Sequence, residues 1–223
     1  MTTDDITSRD SLRDGLIDRL SNTPLTRAPL MPAQRRGSLW LALSLTFVVI
    51  ACGLLAPYRN GFFGQLLESP RYFTETLLGI IAVLSTGFFA FQSMIPGGAR
   101  SKLNLTIGLA AAAGFVLLLV YGLFDPAITP SMDGKRATCV YEAFFYGLLP
   151  GIAAVWLGRR AYALQPVTTS IAIGLSASLP GAIIMQVGCM YDPSHDLKFH
   201  VIPALLMGAL LTLAGVVWLR IKK

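Results

Sequence analysis

Six long apolar runs determine what this chain can fold into. Each is 18 to 24 residues long and bounded by proline, glycine or charged residues, and none alternates with the period of two typical of a membrane β-strand. At 1.5 Å per residue, a helix of this length crosses a hydrocarbon core about 30 Å thick. The runs are 39–56, 72–95, 103–124, 140–157, 167–187 and 199–219. The sequence therefore predicts an all-α, polytopic membrane protein with six transmembrane helices.

This prediction divides the chain into two parts. Residues 39–223 are expected to form the transmembrane domain, and residues 1–38 a short N-terminal cytoplasmic segment. The composition agrees, because 54% of the residues are hydrophobic and only 13% are charged. A typical soluble domain carries about a quarter charged residues.

The distribution of Lys and Arg predicts the orientation in the membrane. Thirteen of the 18 basic residues fall on one side of the six runs, together with both termini, and five fall on the other side. Because cytoplasmic loops carry an excess of Lys and Arg, we expect both termini in the cytoplasm. The net positive charge then reflects topology. Direct nucleic-acid binding is not predicted, since no soluble basic face is left to hold a duplex.

The N-terminal segment carries an apolar stripe. Leu12, Leu16 and Leu20 recur every four residues and therefore line one face of a helix, with Ile17 beside them. Such a short helix is marginal in water. It gains stability by laying the stripe into a groove of a partner or onto the membrane surface, and both interpretations fit. The prolines of residues 21–38 predict a semi-extended tether.

Two cysteines are expected at one end of neighbouring antiparallel helices, on the non-cytoplasmic side. Cys139 opens the fourth run and Cys189 follows the fifth. Three interpretations fit the pair: a structural disulfide, a reversible thiol switch, or a soft-metal site that also uses His195 or His200. The spacing is not Cys-x-x-Cys, which excludes a thioredoxin-type motif. Cys52, inside the first run, is expected to be a small apolar residue.

Polar and helix-breaking residues inside the runs are few. Pro150 and Pro180 interrupt two runs at about the same predicted depth. Such paired breaks mark binding sites in some transporters. No ionisable residue lies near the middle of any run, so we favour plain proline kinks. Glu75 lies near the outer end of the second run, where it can reach the membrane interface. Glu142 lies one turn inside the fourth run, and we expect it to stay solvated.

Several features occur together along the whole chain. An N-terminal segment reads Leu-Ile-Asp-Arg-Leu at residues 16–20, and a Pro/Arg-rich tether ends at Arg36. Six runs follow, with Cys139 at the outer start of the fourth, Cys189 just after the fifth, and then a histidine-containing segment. In this combination the chain resembles the NrsF family, which are six-span bacterial membrane anti-sigma factors that restrain an extracytoplasmic-function (ECF) sigma factor.

The resemblance implies a function. The N-terminal segment would bind an ECF sigma factor through its apolar stripe and hold it at the bacterial inner membrane. The two outer cysteines would perceive heavy-metal or oxidative stress, and the signal would cross the six helices and release the sigma factor. The partners implied are the sigma factor and the lipid bilayer. No cofactor is implied beyond transient binding of a heavy metal.

Two other classes of protein compete with this interpretation. A small-solute or metal transporter is suggested by the paired Pro-Gly breaks. A membrane thiol oxidoreductase is weaker, because such enzymes usually exchange electrons between two thiol pairs and only one outer pair occurs here. No hydrolase, phosphate-loop, haem or zincin motif occurs in the sequence, so we predict no enzymatic activity.

The predicted topology can be tested with reporter fusions. Fusions at four positions should report the cytoplasm: Arg36, Ala99, Arg160 and Lys223. Fusions at three positions should report the other side: Asn60, Gly134 and Ser194. The expected pattern follows from the unequal distribution of basic residues. A cytoplasmic signal at Ser194 would overturn both the topology and the outward placement of the cysteines.

Overall fold

The computed structural model describes residues 13–19, 21, 31–55, 59–95, 102–158, 163 and 165–221. The chain divides into two compact units, Met1–Leu30 and Met31–Lys223. All six apolar runs lie in the second unit.

The first unit contains a short helix, α1, over residues 13–19. Leu16 and Ile17 lie on it, and their exposed fractions are 61% and 52%. Leu12 and Leu20, the other two members of the predicted apolar stripe, lie outside the described residues. The described part of the stripe is thus helical and open to a partner.

The second unit is built from helices. They are α2 (Ala33–Leu55), α3 (Phe62–Glu68), α4 (Pro70–Ser93), α5 (Leu103–Tyr121), α6 (Cys139–Gly158), α7 (Pro166–Gly188), α8 (Pro193–Asp196) and α9 (Ile202–Ile221), with a π-helical turn, Leu197–Val201, between α8 and α9. By length and composition, six segments of the described chain can cross a membrane: α2, α4, α5, α6, α7 and Pro193–Trp218. The predicted all-α, six-helix membrane architecture is confirmed.

The first membrane helix begins earlier than the apolar run that predicted it. Pro32 is the last proline of the tether, and its carbonyl accepts the amide of Arg36 at 3.0 Å. Ala33 and the residues after it favour a helix, so the last part of the predicted tether is helical. Arg36 is consequently only 2% exposed, whereas its neighbour Arg35 is exposed.

Helix α7 lies at the centre of the bundle. It packs against α4, α6 and α9, and it is the most buried of the six membrane helices. Glycines make the approach close: a Cβ on Gly181 would collide with the carbonyl oxygen of Ala143 in α6, and one on Gly174 would collide with that of Gly208 in α9. Small residues in membrane helices allow backbones to approach in this way.

The two prolines inside α6 and α7 lie at contacts with neighbouring helices. The carbonyl of Pro150 accepts a hydrogen bond from the indole Nε1 of Trp40 at 2.9 Å. Pro180 borders an apolar cavity between α2, α4 and α7, and none of the described side chains that line it is charged. The cavity therefore lacks the ionisable residue that a gated ion path usually needs.

The close contact between α6 and α7 makes a stability prediction. Gly181→Leu should destabilise the bundle by about 1–3 kcal/mol or more, because the added side chain meets backbone that cannot yield. Gly53→Leu is the matched control, since a Cβ there would have no atom within 4 Å. Each detergent-purified variant is heated, and size-exclusion chromatography measures the fraction that remains folded at each temperature. Equal stability of the two variants would contradict the close packing.

Candidate functional site

The two outer thiols meet. Cys139 is the first residue of α6 and Cys189 directly follows α7, and both are buried. Their Sγ atoms lie 3.0 Å apart, and both thiols are free. A disulfide bond is about 2.05 Å long. The sulfurs are thus in contact but not bonded, and a shift of about 1 Å would allow the bond to form.

Two histidines complete the cluster. Nε2 of His195, in α8, lies 3.7 Å from Sγ of Cys189. His200, in the π-helical turn, is fully buried. One nitrogen from each imidazole and the Sγ atoms of Cys139 and Cys189 all lie within 4.8 Å of one another. The structure therefore brings together all four residues that the sequence singled out.

A buried carboxylate supports the second histidine. Oδ1 of Asp196 lies 2.9 Å from Nδ1 of His200, and both side chains are inaccessible to solvent. Asp196 was not predicted from the sequence, although its position four residues before His200 on a helix was a signal for such a pair. The pair fixes the orientation of the His200 ring.

The π-helical turn that carries His200 lies directly before α9, whose second residue is Pro203. Pro203 has no amide hydrogen, so in a regular α-helix the carbonyl of Phe199 would have no partner. In the structure the amide of Ile202 donates to the carbonyl of Leu197, five residues earlier. Wider turns of this kind are frequent at functional sites.

Arg59 holds the end of α7, a role that was not predicted from the sequence. It is 1% exposed. Its Nη1 donates to the carbonyl of Cys189 at 3.2 Å, and its Nη2 donates to the hydroxyl of Tyr72 at 2.9 Å. The guanidinium also lies over the rings of Tyr72 and Tyr191, at 5.6 and 5.7 Å from their centroids. The backbone on either side of the second thiol is therefore anchored to α4.

A loop between α5 and α6 covers this anchor. Its Gly134 has φ of 78°, and a Cβ there would press on the backbone of Arg59 at 3.2 Å. The amide of Ser131 donates to the carbonyl of Tyr191, and the amide of Ala127 donates to the Tyr191 hydroxyl. Burial raises the pKa of Tyr191 to about 12. The two hydrogen bonds from Ser131 and Ala127 tie the loop to the segment after Cys189.

The expectation that Glu142 is solvated is wrong. Its side chain is buried, Oε2 lies 2.6 Å from Nη1 of Arg136, and Oε1 accepts from the hydroxyl of Thr138 at 2.6 Å. The thiol of Cys139 donates to the carbonyl of Arg136 at 3.0 Å. The carboxylate thus holds the loop against the first turn of α6, next to Cys139.

The expectation that Glu75 reaches the membrane interface is wrong, because its side chain is completely buried. Its Oε1 lies 3.3 Å from Nε of Arg71, and its Oε2 accepts a hydrogen bond from the side-chain Nε2 of Gln186 at 3.1 Å. The partner Gln186 comes from α7, 111 residues away. The position of Glu75 near the end of a run suggested the membrane interface, but its side chain contacts α7 inside the bundle.

The cluster is reached through a cleft at the surface. The cleft has a volume of about 450 Å³, and its walls include Lys135, Cys139, His195 and Phe199. Cys139, although itself buried, and His195 therefore lie at the wall of an open cleft. Cys189 and His200 lie behind them, fully buried.

Comparison with known proteins identifies relatives of this chain. The family model NrsF, described as negative regulator of sigma F, matches residues 23–221. The carotenogenesis protein CarR of Myxococcus xanthus is 29% identical over 162 residues, which cover 73% of this chain. The match spans 65% of the length of CarR, just under two thirds. No solved structure matches the chain.

The thiol geometry makes a direct prediction. Mild oxidation with diamide should join Cys139 to Cys189, because their sulfurs need to move only about 1 Å. Mass spectrometry of the cross-linked peptides identifies the bond. Cys52→Ser should oxidise like the wild type, since Cys52 is not part of the cluster. A bond to Cys52, or two thiols that stay reduced, would contradict the predicted pairing.

Proposed function

Because this chain belongs to the NrsF family, the negative regulators of sigma F, we propose that it is a membrane anti-sigma factor for an ECF sigma factor. In this proposal the N-terminal segment sequesters the sigma factor, and heavy-metal or oxidative stress at Cys139 and Cys189 releases it. The family consists of regulators and not of enzymes, and the six apolar helices make this chain a multi-pass membrane protein.

The contact between the two thiols carries the proposal. Two free thiols that are 50 residues apart in sequence lie 3.0 Å apart, beside two imidazoles. Either an oxidant or a soft metal converts such a pair into one covalently or coordinately linked unit. A linkage there joins the first turn of α6 to the residue after α7. Stress chemistry at these two residues therefore acts on the ends of two packed helices.

The exposed part of the apolar stripe supports sigma-factor binding. Leu16 and Ile17 are both more than half exposed on α1. Burying each in a groove of the sigma factor would stabilise the complex by roughly 1.5–3 kcal/mol. Interfaces of this kind depend on a few apolar anchors.

The signal must change the affinity for the sigma factor. A modification of the thiols has this effect only if the bundle has two states that bind the sigma factor differently. A difference of about 1.4 kcal/mol between the two states shifts their ratio tenfold. Since α7 contacts three other membrane helices, a displacement at its Cys189 end is transmitted to much of the bundle.

We place the protein in the bacterial inner membrane with both termini in the cytoplasm. This orientation puts the N-terminal segment in the compartment of RNA polymerase and its sigma factors. It also exposes the thiol cluster to the periplasm, where disulfides form and persist. The excess of basic residues on the side of the termini supports this orientation.

The apolar stripe can be tested by mutation. Leu16→Ala with Leu20→Ala should release the sigma factor and switch on its target genes without stress, because two anchors are lost. Co-purification of the sigma factor and transcription of its targets measure the effect. Leu54→Ala, an exposed leucine in α2, is the control and should leave both unchanged. Unchanged co-purification in the double variant would exclude this segment as the binding site.

The thiols can be tested in the same assay. Cys139→Ser, Cys189→Ser and the double variant should share one defect, because each removes at least one of the two thiols that must be linked. The target genes should be either uninducible in all three variants or constantly transcribed in all three. Transcription is measured with and without cadmium, chromate or peroxide. Cys52→Ser should behave like the wild type. If the double variant still represses the target genes without stress and induces them fully under stress, the two cysteines are not the sensor and their role is structural.

A further inference from the structure

We propose that Cys139, Cys189, His195 and His200 form one four-coordinate site for a thiophilic d¹⁰ divalent cation, Zn²⁺ or Cd²⁺, with Asp196 as the positioning residue of His200. This inference deepens the proposed function and rests on it for its regulatory meaning. The coordination itself is a property of this chain and can be measured without a sigma factor.

The geometry favours this set of ligands. In a tetrahedral zinc site the bonds are about 2.3 Å to sulfur and about 2.0–2.1 Å to nitrogen, so ligand atoms lie roughly 3.3–3.8 Å from one another. The four ligand atoms lie within 4.8 Å of one another, and Cys189 Sγ lies 3.7 Å from His195 Nε2. The two sulfurs, at 3.0 Å, would separate by less than about 1 Å to coordinate the ion.

The charges also balance. Binding releases one proton from each thiol to solvent, and the two thiolates then neutralise the divalent cation. The imidazoles bind as neutral ligands, so the buried site gains no net charge.

Asp196 gives His200 the tautomer that a metal ligand needs. Its Oδ1 lies 2.9 Å from Nδ1 of His200 in a solvent-free environment. A proton on Nδ1 shared with this carboxylate leaves the lone pair on Nε2 for the metal. Within the described residues, Nε2 makes no hydrogen bond of good geometry. A buried nitrogen without such a bond is costly in the absence of a ligand. Carboxylate–histidine–metal arrangements are common in zinc proteins.

The positions of the ligands explain why the metal would matter to the bundle. Cys139 belongs to α6, Cys189 follows α7, His195 belongs to α8, and His200 lies in the turn before α9. A bound ion would therefore fix four segments to one point. A disulfide would link only two of them and would remove both thiolates, so the metal-bound and oxidised forms exclude each other.

The first experiment uses the unaltered chain. Full-length protein purified in detergent under reducing conditions is titrated with Cd²⁺, and sulfur-to-metal charge-transfer absorption follows binding. We expect one equivalent per chain. X-ray absorption at the zinc edge of the Zn²⁺-loaded protein should show two sulfur and two imidazole ligands. Because no mutation is involved, this arm does not depend on a variant that folds. A spectrum without imidazole scattering would overturn the proposal.

The second experiment uses matched variants. Asp196→Asn should weaken Cd²⁺ binding about 10- to 100-fold, as expected for the loss of a carboxylate that orients a ligand. Asp192→Asn is the control, because Asp192 caps α8 through the amide of Ser194 and an asparagine keeps that cap. His195→Gln and His200→Gln should weaken binding more than Asp196→Asn does. Wild-type affinity in both histidine variants would overturn the four-ligand site.

The outcomes separate this inference from the proposed function. If metal binding requires all four residues while Cys139→Ser retains stress induction, the site stands and thiol sensing fails. If the cysteine variants lose induction while the wild-type protein takes up no metal, thiol sensing stands and the four-ligand site is overturned.

Discussion

The buried guanidinium of Arg59 fixes the geometry on which the rest of this structure depends. A charge withdrawn from water is costly, and the cost is offset only while its partners stay in place. Here those partners are the carbonyl of Cys189, the hydroxyl of Tyr72 and two aromatic faces, one of them that of Tyr191. Losing any of them would leave the charge poorly compensated. The end of α7, and with it the second thiol, is therefore held in one place.

Close packing between the backbones of α6 and α7 is the second constraint that brings the two thiols together. Gly181 lets α7 approach Ala143 in α6 so closely that no larger residue fits. That contact lies two turns from Cys189 and one turn from Cys139, so the two helices are still near each other where their cysteines occur. The meeting of the thiols thus follows from helix packing together with the anchored end of α7, and it needs no covalent bond.

The sequence predicted the membrane architecture but only part of the site. The apolar runs and the distribution of basic residues can be read directly along the chain. They predicted six helices and their orientation, and hence two cysteines at the same end of neighbouring helices. The contacts of Arg59 with Cys189 and of Glu75 with Gln186 join residues 130 and 111 positions apart. No local pattern encodes such pairs, and a carboxylate near a helix end was wrongly expected to be solvated. Asp196 is a different case, because its spacing of four residues from His200 can be read from the sequence. The sequence does not show that both side chains are buried, and their burial is what makes the pair important.

The π-helical turn Leu197–Val201 makes the assembly of this site depend on chain length as well as on residue type. The amide-to-carbonyl bond that closes this turn spans five residues, one more than in a regular α-helix. Deleting one residue could therefore restore a regular α-helical turn and leave the helices on either side in nearly the same rotational phase. The spacing inside the turn would nevertheless change: a deletion between Asp196 and His200 would shorten their separation from four residues to three, and the carboxylate would meet the imidazole in a different geometry. Among homologous chains, an insertion or deletion in this turn would therefore mark proteins whose cluster is arranged differently.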